Sequence, residues 1–362
     1  MSKQSQSNIV VLLGSGVSCA AKLPDVTTLS SKVACAVSGD ESKLLHYVKL
    51  LSAATHGDAR DSYEDWYFVA DQIHQHHRGD FENPALLPLI ERARCLFGGS
   101  IEITASIADQ VCKTIKREIC KELREAKAQP EIAFAGLADA IRTHGQAPIR
   151  FFSLNHDLLL DDFLNGQFAY YDCFEPHPET EAYRRLSFSR ERLQAAPVSL
   201  VKLHGSINWL RIGPEWSKQK ENPWKGEFIG IKSGDDPNFE VKDDPVQILI
   251  GTFNKMLQYS RAMFLRLFAE FQYSLRNAKC LIVCGYGFGD KGVNNILIDW
   301  MHSDANAKMV VLQYPEPFSN CRPAIGWNVE IWRKEGKLTE VARKIGMGDV
   351  TWAELFDTAC KS

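Results

Sequence analysis

The chain has 362 residues, 45% hydrophobic and 24% charged, with a formal net charge of −3, so it is globular and long enough for one large domain or two modest ones. It has no basic excess for non-specific nucleic-acid binding and no run near the roughly twenty apolar residues that a membrane helix needs. The first seven residues are polar with no signal-peptide core, and the ten cysteines follow no disulfide or metal spacing, so a reducing cytoplasm is the expected location.

The first predicted element is a buried strand, Asn8–Leu13, which runs into Gly14-Ser15-Gly16-Val17-Ser18. Glycines in such a turn let the backbone bend sharply and approach a pyrophosphate, whose charge is favoured at the amino end of the next helix. The third glycine of the dinucleotide fingerprint is absent, with Cys19 and Ala20 near its place, and no acidic residue ends a second strand about twenty residues on. An ordinary dehydrogenase is therefore disfavoured.

Residues 36–144 read mainly as helix and are expected to form an inserted subdomain, leaving 1–35 and 145–362 as the nucleotide-binding core. Within the insertion Ile107, Val111, Ile115, Ile119 and Leu123 recur every four positions and give one apolar face. The acidic, aromatic segment Asp61–Phe68 is expected to open another helix, and Glu131–Thr143 to form a further one. His74, His76 and His77 stand beside Arg78-Gly79-Asp80 and are expected in a solvated loop rather than at a metal.

Two apolar runs, Ile149–Phe152 and Val198–Leu203, read as buried strands of a parallel sheet, and each ends in polar side chains: Asn155-His156-Asp157 after the first, His204-Gly205 after the second. In an open parallel sheet the ligand crevice lies outside the carboxyl ends of the strands, so Asn155, Asp157 and His204 are expected to converge. The plainer alternative is that Asn155 and Asp157 cap a helix at Leu158–Leu164 while His204 sits in the core.

Trp209, Trp216 and Trp224 lie among Pro, Gly and charged residues and suggest an irregular surface loop, or a lid beside the pocket. A helix from Phe253 to about Asn277 carries an aromatic stripe that includes Phe264, Phe268 and Phe271. A fourth buried strand, Cys280–Cys284, then leads into Gly285-Tyr286-Gly287-Phe288-Gly289-Asp290 and a helix containing Asn294. The chain is expected to close with strand Met309–Leu312, a short strand Val329–Trp332, and helices near Leu338–Ile345 and Trp352–Cys360.

Two glycine-rich strand-to-helix turns combined with Asn-x-Asp and His-Gly strand ends resemble the sirtuin family, in particular its bacterial sirtuin-like branch, over roughly residues 8–35 and 145–315. The resemblance implies an α/β chain with a Rossmann-like parallel sheet. By the same resemblance Gly14, Ser15, Gly16 and Ser18 cradle the NAD pyrophosphate, and Pro24-Asp25 match a Pro-Asp segment on the nicotinamide side. Asn155 and Asp157 face the nicotinamide ribose and carboxamide, His204 is the general base, and Gly285, Phe288, Asp290 and Asn294 hold the adenosine half. Leu154 departs from the glutamine that the family often has there.

The residue types suit that chemistry. Breaking the nicotinamide–ribose bond leaves an oxocarbenium-like sugar. An Asn amide oxygen can hold a water against the ribose, and a His can take a proton from a sugar hydroxyl. Deacylating members of the family carry a zinc module with two Cys-x-x-Cys pairs, whereas this sequence contains none, so neither a zinc module nor any other metal is expected. The resemblance thus implies an NAD hydrolase that yields nicotinamide and linear or cyclic ADP-ribose, with NAD as substrate. It further implies an NAD-depleting effector of anti-phage defence, a homo-oligomer working with a separately encoded partner such as a HerA-type ring ATPase or a prokaryotic Argonaute. Two other readings stay open: a non-catalytic NAD or ADP-ribose sensor, and a protein deacylase or ADP-ribosyl transferase.

Overall fold

The computed structural model describes residues 8–56, 62–80, 83–214, 226–251, 262–319, 321–346 and 349–361. Two compact units divide them, one drawn from 1–23, 127–249 and 258–362, the other from 24–126 and 250–257.

The first unit is α/β. Six strands, β1 (Asn8–Leu13), β2 (Ile149–Ser153), β5 (Val198–Lys202), β9 (Ala278–Cys284), β10 (Lys308–Leu312) and β11 (Leu338–Val341), pair all-parallel in the order β11-β10-β9-β1-β2-β5. The chain fills one side of β1 with β2 and β5, then returns to lay β9, β10 and β11 on the other. Strand order thus reverses at β1/β9, the topological switch point where open sheets of this order bind ligands. Register sets the site: Leu13 pairs with Ser153 and Cys284, and Ser153 with Lys202, so the strand ends are level. The residues that follow, Gly14, Asn155, His204 and Gly285, therefore leave the sheet along one edge.

The central strands are mostly apolar because both faces of the sheet are covered, and Arg150, Ser199 and Lys202 are buried polar exceptions within them. Val10, Leu12, Phe152, Val201, Leu281, Val283 and Val311 sit in one core with Phe271, Leu275, Leu297 and Trp332 from the covering helices. The thiols of Cys280 and Cys284 are buried in β9, and burial pushes Cys280 up to about 12, so both behave as small apolar groups.

Several expected elements change. The segment Val329–Trp332 is not a strand but part of a helix, Pro323–Lys334: Ile325, Val329 and Trp332 recur at helical spacing on its buried face, and Pro323 occupies its first turn. Leu338–Ile345 is not a helix; Leu338–Val341 forms the edge strand β11. The helix expected over Glu131–Thr143 is broken into Pro130–Ala133 and Leu137–His144 by Gly136, at φ 75°. The stretch expected as an irregular loop contains strands. An antiparallel sheet ordered β3-β4-β7-β6-β8 is built from β3 (Phe174–His177), β4 (Thr180–Leu186), β6 (Gly205–Pro214), β7 (Phe228–Lys232) and β8 (Phe239–Ile248). Trp209 is buried in β6 against Phe174, with ring centroids 5.2 Å apart, whereas Trp216 and Trp224 lie outside the described residues. The helix expected from Phe253 is described over Ala262–Arg276, and its first part, with Phe253, lies outside them.

The second unit is the helical insertion. Its longest helix, Ile101–Glu125, buries Ile107, Val111, Ile115 and Ile119, the stripe visible in sequence. Ser62 caps a helix at Tyr63–Arg78 by accepting from Glu64 N. His74, His76 and His77 belong to the last turns of that helix rather than to a loop, because the helix continues until Gly79 ends it in the left-handed conformation. Among the described residues, no group of three or more His, Cys, Asp or Glu side chains is placed to hold a metal, and no helix is long and apolar enough to cross a membrane.

Candidate functional site

The amino-terminal turn and the turn after β9 are interlocked through their backbones. Gly14 N donates to Cys284 O (3.0 Å) and Gly16 N to Gly285 O (2.9 Å). A Cβ on Gly14 would lie 2.5 Å from Gly285 O, and one on Gly285, at φ +65°, would lie 2.5 Å from Val17 N. The glycines are therefore required for two turns to touch at the switch point. Gly14 is buried, while Ser15 and Gly16 are exposed at the start of the short helix Ser15–Ala20.

Asn155, Ser18 and Asp157 form one hydrogen-bonded cluster across β1 and β2. Asn155 Nδ2 donates to Gly14 O (3.0 Å) and Ser18 Oγ (2.9 Å), and Ser18 Oγ donates to Asp157 Oδ2 (2.7 Å). Because Gly14 O can only accept, the amide's orientation is fixed by chemistry: both amide protons point inward and Oδ1 is the face left for a ligand. Asp157 Oδ1 accepts from Leu159 N (3.0 Å) just ahead of the helix Leu159–Asn165, whose N-cap position is Leu158, while Asn155 is bonded to Gly14 and Ser18. A small hollow beside the cluster is lined by Ser18, Asn155, Asp157 and Asp161, with Phe134 and Leu160 as apolar wall.

Lys202 lies beside this cluster, although motif reading gave it no role. Its side chain is 3% exposed; Nζ donates to Asp157 O and sits 3.1 Å from Asp161 Oδ2. Burial pushes the Asp161 carboxyl above its ordinary range, and the Lys202 charge opposes that shift. The available signal was a lysine ending an otherwise apolar strand, since a buried cation must be paired. Lys202→Met should cost about 3 kcal/mol at neutral pH by leaving Asp161 uncompensated. In the variant the Asp161 carboxyl, raised further in the fold, favours the protonated state. The deficit should therefore shrink as pH falls toward the unfolded carboxyl value of about 4, read by urea midpoints across pH.

His204 is 3% exposed at the end of β5, and the Gly205 that follows is needed because a Cβ there would lie 2.0 Å from Gln247 O. Its Nε2 stands 3.0 Å from Asp290 Oδ2, and its ring lies 6.3 Å from those of His156 and Phe268. Asp290 caps the helix Lys291–Ser303, Oδ1 accepting from Gly292 N (2.8 Å) and Val293 N (3.1 Å). Asn294 is spent on the turn itself: Nδ2 donates to Phe288 O (2.8 Å) and Oδ1 accepts from Tyr286 OH (2.9 Å). Phe288, at φ +53°, stacks on Phe318 at 4.5 Å. Tyr286, Phe318 and Lys202 thus join the expected set as supports. Pro24 and Asp25 belong to the helical unit, where Asp25 caps the helix Val26–Ala36; the hydrogen bond from Thr28 N holds its carboxyl below the usual range.

Comparison with solved structures returns a crystal structure of a Sir2 homolog–NAD complex, at 12% identity and TM-score 0.45, covering 99% of this chain and 91% of that one. A Sir2 homologue mutant in complex with 2'-O-acetyl ADP ribose is also returned, at 12% identity and TM-score 0.39, covering 100% of this chain and 97% of the other. No curated protein matches by sequence. The family model described as the SIR2-like domain matches residues 149–332, just over half of the chain, from the first residue of β2 to the helix Pro323–Lys334. With the strand order and the strand-end residues in place, the chain is a member of the SIR2-like domain family.

Proposed function

We propose that this protein is an NAD glycohydrolase that breaks the bond between nicotinamide and ribose and adds water to the sugar. The observation that carries the reading is the Asn155 amide, whose two protons are committed to Gly14 O and Ser18 Oγ. A carboxamide held this way offers only Oδ1, an acceptor suited to orienting one water on the ribose face. His204, at the end of β5, takes a proton from a ribose hydroxyl, which stabilises the cation growing at C1' as nicotinamide leaves with the bonding pair. Water then forms the new C1'–O bond and releases a proton, giving ADP-ribose.

Binding is assigned to the switch point. The Gly14–Ser18 turn holds the pyrophosphate, Asp157 accepts from the carboxamide, and the turn at Gly285 and Phe288, kept in shape by Asp290 and Asn294, serves the adenosine half. Resemblance in sequence supports the biological setting: a cytoplasmic homo-oligomer that depletes NAD in anti-phage defence under control of a separately encoded partner.

The test is chromatography of NAD incubated with the purified protein, alone and with the product of a neighbouring gene. Nicotinamide with linear or cyclic ADP-ribose is expected. Release that depends on an added acylated peptide would favour the deacylase or transferase reading instead.

A further inference from the structure

His204 and Asp290 come from opposite halves of the parallel sheet, one following β5 and the other following β9, and meet at 3.0 Å with side chains 4% and 6% exposed. Asp290 is rigidly placed: two backbone N–H groups of the next helix hold Oδ1, and the Tyr286 hydroxyl receives its backbone N–H at 3.1 Å. Oδ2 is the oxygen turned to the imidazole. Among the described residues, the His156 ring, from the loop after β2, and the apolar Phe268 ring, from the helix Ala262–Arg276, also face His204.

We propose that Asp290 is a positioning residue acting through His204, its carboxylate stabilising the imidazolium that forms when His204 takes the ribose proton. The inference rests on the reading of the preceding subsection. In the step, the hydroxyl O–H bond breaks and an imidazole N–H bond forms. The new positive charge appears beside a carboxylate already shielded from water, where a charge at this separation counts far more than at the surface. A neutral partner would leave that imidazolium uncompensated and its formation uphill. Three of the carboxylate's contacts are thus turned to the helix cap and the imidazole.

Asp290→Asn tests this, because Asn keeps the cap acceptor and removes only the charge. The measurements are kcat for nicotinamide release at saturating NAD, the NAD Kd by calorimetry, and the His204 imidazole titration by NMR. The expected result is a fall in kcat of about 10- to 100-fold, a Kd within about threefold of the parent, and a His204 that titrates at lower pH. A Kd raised more than about tenfold with kcat unchanged would make Asp290 an adenosine ligand and overturn the proposal, as would an unaltered His204 titration. Absence of nicotinamide release from the parent protein would remove the underlying reading, and a shifted titration would then show that the failure lay there and not in the pair. Asp290→Ser, which also caps, repeats the comparison if the Asn variant folds poorly.

Discussion

Asn155→Ala is expected to lower nicotinamide release by about 10²- to 10³-fold while leaving NAD binding near the parent value, since the loss falls on placement of the attacking water. Part of the effect comes from the cluster. Without Nδ2, Gly14 O loses the donor at 3.0 Å, and Ser18 Oγ loses one of the two contacts that hold it between Asn155 and Asp157. Asn155→Asp separates the two contributions. A carboxylate would be the stronger acceptor for water, but its second oxygen would face Gly14 O at the distance now occupied by an amide donor. The near-isosteric variant should therefore be as inactive as Ala and less stable. An Asp variant with parent-like turnover would mean that only the acceptor oxygen matters and that the inward donors are dispensable. Initial rates and calorimetric Kd on the three proteins decide it.

Gly285→Ala should carry the largest stability cost, about 3 kcal/mol or more, combining left-handed backbone strain with an overpacked contact. A Cβ there meets Val17 N at 2.5 Å and Gly16 Cα and C at 2.8 Å. These are backbone atoms, so no side chain can rotate away, and relief requires the two turns to part. Parting them would break the bond from Gly16 N to Gly285 O and open the switch point where NAD is proposed to bind. The control lies in the same loop: a Cβ on Gly287 or on Gly289 has nothing within 4 Å and neither has a positive φ, so Gly287→Ala should change stability little. Equal urea midpoints for Gly285→Ala and Gly287→Ala would refute the interlocked-turn account.

The parallel sheet was legible because its strands except β11 are short and mainly apolar, even with Arg150 in β2 and Ser199 and Lys202 in β5. β11 was not. Leu338-Thr339-Glu340-Val341 is half-buried at the sheet edge, and its charged flank imitates a helix. Val329–Trp332 failed for the converse reason: Val329 and Ile331 alternate as in a strand, but Ile331 is exposed, and Ile325, Val329 and Trp332 share the buried face of a helix that Pro323 opens. The antiparallel sheet was hidden because β3, β4 and β7 are short and carry Glu175, Glu181, Arg185 and Lys232 among their apolar residues.

At the site, sequence order and strand-end position picked out Asn155, Asp157 and His204, yet gave no sign of how they are held. Ser18 as the bridge between Asn155 and Asp157, and Asp290 as the neighbour of His204, depend on strand register and sheet order rather than on local pattern. Lys202 and Arg150 are both charges in buried strands; Lys202 ends its strand beside Asp157, whereas Arg150 donates to Ala196 O and Gln194 O.

The most direct test of the central claim is NAD turnover in water enriched in oxygen-18, with mass spectrometry of the products from the parent protein, Asn155→Ala and His204→Ala. The account predicts nicotinamide and ADP-ribose in equal amounts from the parent, the ADP-ribose carrying one heavy oxygen at C1', and loss of both products in the two variants. Intact NAD recovered from a saturably bound complex, with or without the partner, would contradict it and make the protein an NAD sensor.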